Sequence, residues 1–292
     1  MEVSVIKKKF AFSGHESFQC RQLWLKKGYD FVRSSRSFSD ADAVVELGVG
    51  KNMVSSIRYW LRAFNVTDAN DQPTEFGIRL LDNKGWDPFL EDEGSLWLLH
   101  YQLVKSNLAS TYNLIFNHFR REKIVFDKEA YVNYLRRQRE LIPGLNFNEK
   151  TVRDDFTVFV KMYRNDPKSK DVEDSFSGIL SDLKLVSAVG AESDERFAIE
   201  NLERDNLPAP IFLFAILDNE SYGNSISLNS LEQDCNSPGA IFAINRAGIM
   251  NKLAEITGST EGTTFTDHAG IKELQFKEKP EAFAILDQYY GH

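Results

Sequence analysis

The segment SGHESFQCRQLWLKKG, residues 13–28, gathers His15, Glu16, Cys20, Arg21, Lys26 and Lys27 in one short stretch. A histidine can serve as a general base and a carboxylate can hold a divalent cation. His15, Glu16 and Arg21 are therefore the candidate catalytic residues for cutting a phosphodiester, with Mg2+ or Mn2+ as the cofactor such chemistry uses. The spacing fits no metal-ligand pattern, and HExxH is absent. The competing assignment makes His15 a hydrogen-bonded turn residue and leaves Arg21 and Lys26 to touch phosphate. Cys20 stands beside Arg21, which favours a thiolate, although a lone cysteine also serves as a small buried hydrophobe. Near the end of the chain, Asp267, Gln275 and Lys277 imitate an acid followed by a strand-borne Q-x-K, a pattern that arises easily by chance. There is no G-x-S-x-G elbow and no glycine-rich nucleotide loop.

A second stretch, ELGVGKNMVSSIRYWLRAF (residues 46–64), places Gly48, Gly50 and Lys51 ahead of a helical pattern. A phosphate-cradling loop needs G-x-x-x-x-G-K-[ST]. Here the glycines are too close, and Asn52 stands where the hydroxyl should be. A helix-turn-helix needs a glycine in the turn and apolar residues between two steeply crossing helices. Gly48 supplies the first; Ala43, Leu47, Val49, Val54 and Ile57 supply the second. The outward face then carries Asn52, Ser55, Ser56, Arg58, Tyr59 and Arg62, donors of the kind that meet phosphates and base edges. Lys51 lies at the amino end, where helix N–H groups also favour phosphate. Downstream, PTEFGIRLL reads as the helix end and strand of a winged module. The expected nucleic-acid contacts are Lys26, Lys27, Lys51, Asn52, Ser55, Ser56, Arg58 and Arg62, unless the module serves protein contacts only.

The elements that must hold these residues follow from periodicity. FAFSGHESF reads as strand-like, and a helix is expected from about Arg21 to Val32. A helix starting at Ser39, with Asp42 at capping-box distance, should stop at Gly48. From near Asn52, Val54, Ile57, Leu61 and Phe64 form one buried stripe. The middle reads as helices: EGSLWLLHYQLVKS, STYNLIFNHFRR, FDKEAYVNYLRRQREL capped by Asp127, and NEKTVRDDFTVFVKMY capped by Asn148. The last echoes the first module and offers Lys150 and Arg153 to nucleic acid, but Asp154 and Asp155 oppose it, so packing is its main expected role. RNDPKSKDVED reads as an exposed boundary. RFAIE and IKELQFKE read as strands; LPAPIFLFAILDN, the SLNSLEQDC…AEIT stretch and EAFAILDQYY read as helices.

The expected fold is mainly α (α+β): winged helix-turn-helix-like modules joined by a helical middle, with short β-strands. Residues 1–90 form the DNA-binding module, 91–165 the helical middle and 166–292 an acidic α+β part. Charge supports this division. Residues 1–64 carry a net +5, residues 65–140 a net −2 and residues 141–292 a net −11. One local anionic partner is implied, with the acidic body kept clear of nucleic acid. Two distant cysteines argue against a disulfide framework. No apolar run spans a bilayer and no signal peptide is evident, so a cytoplasmic setting is expected.

GHESFQCRQLWLKKGYD, FSDADAVVELGVGKNMVSSIRYWLRAF, NEKTVRDDFTVFVKMY, EDSFSGILSDLKLV and LPAPIFLFAILD together resemble successive motifs of a bacterial family of unknown function. The resemblance covers nearly the whole chain. That family is found in DNA phosphorothioation and phage-defence gene clusters, and in the single-stranded (Ssp) version its member is a DNA-nicking subunit. The resemblance implies double-stranded DNA as substrate. It implies as partners a cysteine desulfurase, an ATP pyrophosphatase and an ATPase. It carries over no catalytic residue. A non-enzymatic DNA-binding adaptor or transcription regulator of a defence operon stays open as the alternative.

Overall fold

The computed structural model describes residues 10–106, 108–164, 177–190, 195–268 and 270–292. About half of the chain is helical, and two small antiparallel sheets of three strands each make the fold α+β. Two compact units form, one from residues 1–89 and 102–199, the other from residues 90–101 and 200–292.

The first unit opens without a strand. Residues 10–20 run as irregular chain through a left-handed turn, so the strand expected at FAFSGHESF is not formed. Helices α1 (Trp24–Arg33), α2 (Ala43–Leu47) and α3 (Lys51–Ala63) follow. Gly48 ends α2 at φ 62, the left-handed conformation expected of it. Phe31, Ala43, Leu47 and Val54 form a small core there, with Val32, Phe38 and Val49 packed against it. The expected stripe of Val54, Ile57, Leu61 and Phe64 is buried. The start of α2 differs from expectation. Asp42 makes no cap; its carboxylate instead takes the Arg36 guanidinium at 2.7 Å. The segment PTEFGIRLL is also different: it forms helix α4 (Glu75–Leu81), because the Thr74 hydroxyl caps the Gly77 N–H and Gly77 seats the helix against the Val66 carbonyl. In place of the expected wing there is an isolated bridge between Thr67 and Pro73.

After α5 (Glu93–Lys105), the helices α6 (Ser110–Leu114), a π-helical turn (Ile115–Phe119) and α7 (Arg120–Glu122) run on continuously. Strand β1 (Val125–Phe126) leads to α8 (Lys128–Leu141), capped by Asp127 on Ala130 N at 2.7 Å. Helix α9 (Glu149–Tyr163) is capped by Asn148 on Lys150 N at 2.9 Å. Both caps are those the sequence predicts. The expected boundary at RNDPKSKDVED lies outside the described residues apart from Arg164. Strands β2 (Ser187–Val189) and β3 (Arg196–Ala198) complete a sheet in the order β1-β3-β2.

The second unit packs α10 (Ala209–Leu217), opened by Pro208, with α13 (Arg246–Ser259) and α14 (Ala282–Tyr290). Strand β4 (Ser225–Ser227) and the short helices α11 (Leu228–Gln233) and α12 (Pro238–Ile241) precede α13; β5 (Thr263–His268) and β6 (Ile271–Phe276) precede α14. The sheet order is β4-β6-β5. Among the described residues, no helix is long and apolar enough to cross a membrane.

Candidate functional site

The SGHES turn rests on α3. Ser13, Gly14, Glu16 and Ser17 all have positive φ, at 74°, 105°, 49° and 64°. Non-glycine residues avoid that region, and such strain persists only where the surroundings impose it. His15 is the anchor. Its ring is 4 % exposed, stacks on Trp60 at 6.0 Å and meets Tyr59 edge-on at 5.8 Å. Gly14 has no room for a side chain, since a Cβ there would lie 2.6 Å from the Tyr59 ring. Trp60 Nε1 donates to the Phe18 carbonyl at 3.0 Å, tying the next residues to the same helix.

The hydrogen bonds settle the state of the imidazole. The Ser17 N–H donates to Nδ1 at 3.1 Å, so Nδ1 carries no proton. Nε2 therefore bears the hydrogen and donates to Asp155 Oδ1 at 2.8 Å. Asp155 also accepts from Ser13 N at 2.9 Å and from Thr111 Oγ1 at 3.2 Å. With both nitrogens engaged, His15 holds the turn; it has no free lone pair to act as the expected base. Asp155, expected as an outward charge on α9, is buried instead. It lies three residues after Val152 and four before Phe159, on the helix's inward stripe. That periodicity is the signal that identifies it in the sequence.

Glu16 projects from the turn as an exposed carboxylate. Arg21 is half-buried, with its guanidinium over the Trp24 ring at 5.1 Å and the Phe18 ring at 6.0 Å. It lines an open groove with Val44, Gly48, Val49, Gly50 and Met53. Gly50 caps α3 with no side chain, so the N–H groups opening that helix receive no side-chain cap from it. Arg21 and the start of α3 thus share the groove, while the turn packs farther along the same helix, on Tyr59 and Trp60. Cys20 is fully buried, as a small buried hydrophobe is, and burial pushes its thiol well above the usual range, against a thiolate beside Arg21.

The expected nucleic-acid contacts divide. Lys27, Lys51, Asn52, Ser55 and Lys150 are exposed. Lys26 is buried, its ammonium bonded to Asp30 at 2.6 Å and Asn83 at 3.0 Å. Ser56 is buried because it shares a helix face with Trp60 and Ala63. Arg58 and Arg62 both bind Asp71. Arg153 pairs with Glu129. Far from this region in sequence, Asp267 pairs with Lys272 at 3.2 Å, and Gln275 bonds Glu273 at 3.3 Å.

Among the described residues, no three His, Cys, Asp or Glu side chains gather as a metal site. Magnesium, however, keeps several waters and commonly takes one or two carboxylates together with substrate phosphates. The exposed Glu16 carboxylate is the donor that the turn offers to such a cation.

These features define an α+β protein with a strained, histidine-anchored turn set on the third of three helices, α1–α3. The chain belongs to the DUF4007 family, proteins of unknown function, which matches residues 12–290. It is similar to the magnesium ion-bound SspB crystal structure, at 32% identity and a TM-score of 0.88, over 96% of this chain and 88% of that chain. A second SspB crystal structure is 32% identical with a TM-score of 0.86 over the same shares. No curated protein matches the chain.

Proposed function

We propose that the chain is the DNA-binding component of a DNA phosphorothioate modification and phage-defence system, and that it nicks one strand of duplex DNA so that sulfur can enter the backbone. The observation that carries this reading is that one helix, α3, seats the strained SGHES turn on Tyr59 and Trp60 and opens with the exposed Lys51 and Asn52, in a chain that matches SspB over 96% of its length. The trio α1–α3 acts as a helix-turn-helix whose wing is cut down to one bridge. Lys27, Lys51, Asn52 and Ser55 contact the backbone and groove edges, and the uncapped N–H groups at Lys51 and Asn52 favour phosphate.

In the nicking step, Glu16 and Arg21 are the residues nearest to the chemistry. Glu16 would hold a magnesium or manganese ion against the bound phosphate, and that ion would supply Lewis-acid stabilisation of developing charge. Arg21 carries a guanidinium suited to a phosphate oxygen. His15 keeps the turn in place and so presents Glu16. On α9, the exposed Lys150 is a further phosphate contact; Arg153, tied to Glu129, contributes little. The partners implied are double-stranded DNA and the system's cysteine desulfurase, ATP pyrophosphatase and ATPase, which act on the opened strand.

A second reading has its own support. The engaged His15 ring favours a non-enzymatic adaptor or operon regulator that uses the same face only to bind. Fluorescence anisotropy on a labelled duplex tests the shared part. Lys51→Ala with Lys27→Ala should weaken binding and lower the log–log salt slope by about two. An unchanged slope removes this face as the DNA site.

A further inference from the structure

The outer face of α3 already holds an anion. Arg58 Nε and Nη2 lie 2.9 and 2.8 Å from Asp71 Oδ2. Arg62 Nε and Nη2 lie 2.9 and 2.8 Å from Oδ1. Each guanidinium thus grips one carboxylate oxygen most closely, and Arg58 Nε also reaches Oδ1 at 3.1 Å. The Asp71 side chain is 18 % exposed, while those of Arg58 and Arg62 keep 40 % and 26 % exposure, so solvent reaches the arginines.

Asp71 is presented by a short turn, not by a packed element. It stands at φ 62, and the turn closes through Asp68, whose carboxylate accepts the Asn70 and Gln72 N–H groups at 2.8 Å each. A guanidinium fork binds carboxylate and phosphate oxygens with the same geometry. Two guanidiniums around one carboxylate leave a net positive charge on the helix face expected to meet DNA.

We propose that Arg58 and Arg62 form a phosphodiester-binding site in which Asp71 is the resident surrogate, and that a DNA strand takes the site by displacing the turn of residues 68–72. The inference rests on the DNA-binding reading above and deepens it. The competing account, that Asp71 only fastens the turn to α3, differs in sign. Loss of a fastening weakens or leaves unchanged the binding of DNA; loss of a surrogate strengthens it.

Asp71→Asn keeps the shape and removes the charge. Anisotropy across a salt series, with a labelled duplex as probe, should show this variant binding about tenfold more tightly than wild type at physiological salt, with a slope steeper by about one to two phosphates. Arg58→Ala with Arg62→Ala should bind more weakly, with a shallower slope. Equal or weaker binding by Asp71→Asn, where wild type binds, overturns the surrogate and leaves the DNA reading standing. Failure of both proteins to bind removes the DNA reading and the surrogate with it. If Asp71→Asn does not fold, NMR of the labelled wild-type chain decides. Added duplex should shift the Arg58 and Arg62 Nε–H signals together with the amides of residues 68–72, and unmoved arginine signals overturn the proposal.

Discussion

Replacing Asp155 by alanine removes the acceptor shared by Ser13 N, His15 Nε2 and Thr111 Oγ1. Ser13 is exposed, so its N–H regains water. The other two donors, on His15 and Thr111, remain buried. A buried donor left without an acceptor costs about 1–3 kcal/mol. The expected loss for Asp155→Ala is therefore about 2–6 kcal/mol. In a protein that already carries His15→Ala, only the Thr111 hydroxyl is orphaned, and the loss falls to about 1–3 kcal/mol. The double-mutant cycle should return a coupling of about 1–3 kcal/mol between the two positions. Urea unfolding followed by tryptophan fluorescence measures it, and Trp60, stacked on the His15 ring, reports locally. A loss below about 0.5 kcal/mol for Asp155→Ala, or a coupling near zero, would refute the claim that this carboxylate holds the turn.

Three further outcomes follow from local geometry. Gly14→Ala meets both a φ of 105° and the Tyr59 ring, so it should cost about 1–3 kcal/mol by thermal or urea unfolding, and adding Tyr59→Ala should restore only part of it, because the backbone strain persists. Asn148→Ala deletes the α9 cap and should cost about 1 kcal/mol, measured by the same unfolding curve. Burial and then the Asp82 carboxylate push the Tyr29 phenol up to about 12. A raised folded value stabilises below the ordinary tyrosine range and is lost as pH climbs through about 12. Stability should therefore fall from about pH 10 to 12, and Tyr29→Phe should remove one phenol ionising near the upper end of an ultraviolet titration. Ionisation of Tyr29 near 10 would contradict the packing.

What was legible in the sequence was local. The stripe on α3, the glycine stop at Gly48 and the Asp127 and Asn148 caps depend on neighbours within a turn or two. The short strands Arg196–Ala198 and Ile271–Phe276 and the apolar helix after Pro208 also follow from runs of apolar residues between punctuating polar ones. What failed depended on distant residues. FAFSGHESF alternates as a strand does, but Asp155, far along the chain, draws Ser13 and His15 into a left-handed turn. Arg58 and Arg62 look free on a helical wheel; Asp71 reaches them only because the following turn folds back. Lys26 and Ser56 counted as surface donors, yet Asn83 and the face shared with Trp60 bury them. Of the candidate site, the sequence disclosed the residues near position 15 and left their roles open. The partner that assigns His15 its role sits on another helix.

The proposed place where a DNA strand is opened is the SGHES turn on α3. A supercoiled plasmid incubated with the purified chain, with magnesium, manganese or EDTA, tests it most directly. Open circles should form with either metal, none with EDTA, and none with Glu16→Gln, while that variant still shifts the same DNA on a gel. A gel shift without open circles under any metal would contradict the nicking claim and leave an adaptor; nicking that survives Glu16→Gln would move the chemistry away from this turn.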